Sequence, residues 1–89
     1  MNEQTGTTTA QIKQAQQGAV FIWVNADIRY PKQLARQLGR DDLQIVGPGW
    51  LDSYRWQGQT FPWIEVDHAA KLTGYQRELL HDALCRVSR

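Results

Sequence analysis

The chain has 89 residues, 42% of them hydrophobic and 21% charged, and a formal net charge of +1. That length suits one domain, and that balance excludes the low-hydrophobicity, high-charge composition of an intrinsically disordered chain. A charge so near zero supplies no global field toward nucleic acid or anionic lipid, so binding of that kind requires a local patch.

Residues Met1 to Gln17 are polar and rich in Thr and Gln, with neither the basic start nor the apolar centre of a secretory signal. The longest apolar run, Ala19 to Val24, is too short to span a bilayer. Cys85 is the sole cysteine, so it forms no internal disulfide, and no Cys and His cluster shows zinc spacing. Together these features read as a cytoplasmic protein with no cofactor, no metal and no membrane contact. Residues 1–8 read as a disordered tail and residues 9–89 as a single α/β domain.

In chain order, Thr9 is placed to cap a short helix through Gln17, which Gly18 then ends. Ala19 to Val24 is apolar without alternation, as a strand covered on both faces requires, and reads as the central strand. Pro31 suits the first position of a helix over 31–38, with Leu34, Ala35 and Leu38 on one face and Gly39 at its end. Leu43 to Val46 reads as a second strand, cut off by Gly47-Pro48-Gly49. Trp50 to Trp56 fits a short helix or an irregular strand equally well. Thr60 to Val66 reads as a third strand, with Pro62 tolerated near its start. Thr73 and Gln76 form a capping-box pattern ahead of a helix whose apolar face is Leu79, Leu80, Ala83, Leu84 and Val87. Strands alternating with helices imply a small three-stranded, mainly parallel sheet packed with two or three helices.

In an open parallel sheet the ligand crevice lies beyond the carboxyl ends of the strands. Asn25 and Asp27 follow the first strand and Asp67 and His68 the third, so these four form a candidate binding edge. Asp27 and Asp67 offer oxygens to a divalent ion and His68 a proton carrier near neutral pH. The same residues also suit plain strand ends and turns. No nucleophile dyad or paired carboxylate emerges, so no catalytic residue is assigned.

Two surfaces compete as partner sites. Arg29, Lys32, Arg36 and Arg40 recur at helical spacing and form a basic stripe able to follow nucleic-acid phosphates. Pro31 to Gly39 is also similar to the first helix of a helix-turn-helix, although no second helix follows. Trp50, Tyr54 and Trp56 cluster in the ambiguous segment, where they plug one end of the sheet, anchor a protein partner, a second copy of the chain included, or stack on nucleic-acid bases.

The stretch Arg55-Trp56-Gln57-Gly58-Gln59-Thr60-Phe61-Pro62-Trp63-Ile64-Glu65-Val66-Asp67-His68-Ala69 resembles the Walker B region of helicase and terminase ATPases. There an Arg-Gly lead-in precedes an apolar strand that ends in Asp and an acidic residue. Gly18 to Asn25 is similar to the segment that follows the phosphate loop of that family. The resemblance implies that Asp67 corresponds to the magnesium-coordinating Asp, with His68 where the catalytic Glu would stand. No Gly-x-x-x-x-Gly-Lys-Ser/Thr loop occurs in the chain, so the relative implied is one without a phosphate loop. The leading expectation is a small non-catalytic binding or regulatory module acting through protein contact. Nucleic-acid binding is its alternative, and a metal or nucleotide site a further one.

Overall fold

The computed structural model describes residues 3–87; Met1 and Asn2 of the expected tail lie outside them. The elements are α1 (Glu3–Gln14), β1 (Val20–Ile22), α2 (Arg29–Gln37), β2 (Gln44–Val46), α3 (Gly49–Asp52), a 3-10 turn (Arg55–Gly58), β3 (Ile64–Val66) and α4 (Gly74–Leu84). The three strands form one parallel sheet in the order β2-β1-β3, with Val20 opposite both Gln44 and Ile64. The run that reads as the central strand is therefore central, although only Val20–Ile22 of Ala19 to Val24 is strand, and those three residues are fully buried.

Successive β1 side chains point to opposite faces and divide the core in two. Phe21 packs on one face with Ile12 and Ala15 of the α1 region, Ala35 of α2, and Leu43 and Ile45. Val20 and Ile22 pack on the other with Trp50, Leu51, Trp56, Phe61, Ile64, Leu79 and Ala83. The result is three layers, helix on sheet on helix. β2 and β3 flank β1 on opposite sides, so two crossovers of one hand must use opposite faces. They do: α2 covers the first face, while α3 and the 3-10 turn cover the second.

Element boundaries move for local reasons. The first helix begins at Glu3 rather than at Thr9, and Thr8, assigned by sequence to the loose tail, is 4% exposed. Pro31 is the third residue of α2, not the first, because the Asp27 carboxylate already accepts from the Arg29 N–H and starts the turn. The third strand starts at Ile64, two residues beyond Pro62, whose N side has the outward, edge-facing parity that tolerates proline. The ambiguous segment is helical in two short pieces, joined at Tyr54. The capping box of α4 forms as expected, Thr73 Oγ1 accepting from Gln76 N and Gln76 Oε1 from Thr73 N, both at 3.0 Å. No helix among the described residues is long and apolar enough to cross a membrane.

Candidate functional site

The carboxyl end of β3 carries a buried carboxylate with both oxygens bonded. Asp67 donates its N–H to Ile22 O at 2.9 Å, which seats it beside β1, and it is only 2% exposed. A carboxylate so placed needs donors. Thr8 Oγ1 donates to Oδ1 at 2.9 Å and Ala69 N to Oδ2 at 3.0 Å. His68 Nε2 lies 3.3 Å from the same Thr8 hydroxyl. Three residues on, Gln11 donates from Nε2 to Val66 O and to Glu65 Oε2, both at 3.0 Å, and accepts from His68 N at 2.9 Å. One polar flank of α1 is thus fastened to the end of β3.

Asn25 and Asp27 belong to a separate arrangement. Asn25 Oδ1 accepts from Asp27 N at 2.9 Å in an Asx turn, and both residues are exposed. Arg29 grips Asp27 through Nε at 2.9 Å and Nη2 at 2.8 Å, and this guanidinium holds the Asp27 carboxyl down at about 2. No hydrogen bond joins the two pairs among the described residues. The loops after β1 and β2 do meet at Gly47, where a Cβ would come within 2.8 Å of Asn25 O. The carboxyl edge is closed there by backbone packing.

The resemblance to ATPases implies a magnesium nucleotide at this edge, and the residues present do not fit one. Thr8 and Asp67 are the correct kind of oxygen pair. However, Asp67 is buried and its two oxygens accept from Thr8 and Ala69, and helix already runs from Glu3, where a phosphate loop would lead into Thr8. No group of three His, Cys, Asp or Glu side chains among the described residues could hold a metal ion.

The basic stripe loses a member. Arg40 lies beyond Gly39, whose φ of +72° turns the chain out of the helix. Its guanidinium donates to Ile12 O, Lys13 O and Ala15 O at 2.8 to 2.9 Å, and pairs with Asp42 at 3.0 Å. It closes the carboxyl end of α1 and does not face outward with Lys32 and Arg36. Arg29 is exposed but bound to Asp27. Of the stripe, Lys32 and Arg36 remain exposed and outside any ion pair among the described residues, beside a groove of about 330 Å³ floored by Ala35, Leu43 and Ile45.

The aromatic cluster divides likewise. Trp50 and Trp56 are 8% and 2% exposed, so the core alternative holds for them, and neither offers a surface to a partner. Trp56 Nε1 donates to Leu51 O at 2.9 Å, while Trp50 Nε1 is buried with no partner among the described residues. Tyr54 instead reaches the surface at 40% exposure, and its backbone is left-handed at φ +58°. Its hydroxyl hydrogen-bonds the hydroxyl of Tyr75, itself 52% exposed. That bond, with burial and the nearby charges of Tyr54, Asp52 and Glu78, pushes the Tyr75 hydroxyl above its ordinary value.

Thr8, Gln11 and Tyr75 carry these arrangements, and sequence reading passed over all three. Thr8, Gln11, Ile12 and Ala15 recur at helical spacing, a signal that existed but was half polar. Tyr75 had none, because its neighbour comes from another element. Comparison with protein-family models, with curated proteins and with solved structures finds no match.

Proposed function

We propose that this chain is a small non-catalytic binding module that works through protein contact, made by Tyr54 and Tyr75. The observation that carries the reading is Tyr54 itself: a bulky aromatic in the left-handed region, held at the surface. That backbone costs about 1–2 kcal/mol relative to an ordinary conformation, and strain of this kind concentrates at binding sites. Paired tyrosines supply large, stiff contact area at low entropic cost, as interface anchors do. Asp52 and Glu78 lie close enough to act on Tyr75 electrostatically, so the partner chemistry that fits is a Lys or Arg side chain laid on the rings. As part of the same proposal the module works in the cytoplasm, in keeping with a single, exposed thiol at Cys85.

The test compares wild type with Tyr54→Ser/Tyr75→Ser as baits under identical conditions, with circular dichroism confirming the same fold. A protein retained by wild type and lost by the double variant is the expected result. Retention of the same proteins by both overturns it.

A second reading, a relative of ATPase cores without the phosphate loop, draws its support from Asp67 ending β3 with Thr8 donating to it. The buried, satisfied carboxylate counts against a working nucleotide site.

A further inference from the structure

We infer that the outer edge of β3 is a receptor for an extended acidic protein segment, which adds to the sheet as a fourth strand. The surface is separate from Tyr54 and Tyr75. In the β1–β3 ladder, Val20 N donates to Trp63 O at 3.0 Å and Asp67 N to Ile22 O at 2.9 Å, so residues 63, 65 and 67 address β1. Ile64, Val66 and His68 therefore turn their backbone groups outward. The Ile64 N–H and C=O and the Val66 N–H have no partner among the described residues. A row of unpaired edge groups is a template for pairing with another strand.

The far end of the edge shows what the rest accepts. Gln11 donates to Val66 O and accepts from His68 N, the two bonds one residue of a neighbouring parallel strand would make there. Its side-chain amide occupies one ladder position and ends the receptor at Val66. Against Val66 opens a groove of about 480 Å³, floored by Val66, Ala70, Leu72 and Leu80 and rimmed by Lys71 and Arg77. Both cations are exposed, neither joins an ion pair among the described residues, and no acidic side chain lines the groove. Charge complementarity thus selects an acidic occupant. Alternate side chains of an added strand would enter the groove, while backbone bonds supply sequence-independent affinity.

The test titrates the full ¹⁵N-labelled chain with a short blocked peptide of alternating Glu and Val, and with its Lys and Val counterpart. The Ile64 and Val66 amides are expected to shift and to exchange more slowly with the acidic peptide alone. Lys71→Glu/Arg77→Glu, on two exposed side chains, is expected to weaken binding at least about tenfold at an unchanged melting temperature. The proposal is overturned if Ile64 and Val66 stay unshifted at millimolar acidic peptide. Equal binding of the basic peptide, or shifts confined to Gln44–Val46 on the opposite edge, overturns it too.

Discussion

Two buried tryptophans differ in one hydrogen bond, and that difference has a measurable sign. Trp56 Nε1 is satisfied by Leu51 O, whereas Trp50 Nε1 is buried without a partner among the described residues. An unpaired buried donor carries a penalty of about 1–3 kcal/mol, and removing it relieves that penalty while ring area is lost. Trp50→Phe is therefore expected to leave stability within about 1 kcal/mol of wild type, and Trp56→Phe to cost about 1–2 kcal/mol more. Paired urea melts check this. Tyr54 supplies a second residue-scale test. Both Tyr54→Ala and Tyr54→Gly lose the ring contact with Trp56 and the bond to Tyr75, but only glycine accepts φ +58° freely. The glycine variant should exceed the alanine variant by about 1 kcal/mol, against glycine's usual deficit. An alanine variant at least as stable would remove the strain on which the functional reading rests.

At the scale of elements, α1 is held by polar ties from its middle to its carboxyl end as well as by buried Ile12 and Ala15. Thr8 and Gln11 fasten its middle to β3, and Arg40 fastens its carboxyl end by three carbonyls. This is why the residues up to Thr8 read as a loose tail while Thr9 to Gln17 read as a helix: a polar tie such as that of Thr8 adds no apolar periodicity to the sequence. A polar tie also explains the error at Arg40, whose spacing from Lys32 and Arg36 is helical although Gly39 ends the helix one residue earlier. Asp42 is the counterion, its carboxyl held well below the usual range first by the Arg40 guanidinium and then by the Gly18 N–H. A depressed carboxyl contributes stability that is full above its unfolded value, near 3.8, and is lost as pH falls toward the folded one. Wild type should therefore weaken steadily on acidification below about pH 4, and Asp42→Asn should show less of that slope while being less stable at neutral pH. Arg40→Ala should cost about 2–3 kcal/mol at neutral pH, since three carbonyls lose a charged donor. Thermal melts across the acid range measure both.

For the whole molecule, the layers were legible and the site was not. Val20–Ile22 announced itself as a two-sided strand, and Thr73 with Gln76 announced the closing helix, because burial and capping write local patterns. Asp67 meets Thr8 across 59 positions and Tyr75 meets Tyr54 across 21, and no local pattern records such a meeting. The Asp67 cluster then decides between a nucleotide site and a structural clasp. A ligand that binds only the folded chain stabilises it by about 2.7 kcal/mol at a hundredfold excess over its Kd. In a domain of this size each kcal/mol moves the midpoint by roughly 4–8 °C, so even millimolar affinity would be visible at high ligand. With the carboxylate buried and its two oxygens bonded, magnesium with ATP is expected to leave the midpoint where it was. Asp67→Asn should lower that midpoint by several degrees, because the amide nitrogen cannot accept from Thr8 or Ala69 and a buried donor loses its partner. Thr8→Val, which keeps the shape and deletes the hydroxyl, should fall in the same direction. If magnesium and ATP instead raise the midpoint, and Thr8→Val abolishes that rise, the clasp is a nucleotide site and the ATPase reading replaces the binding module.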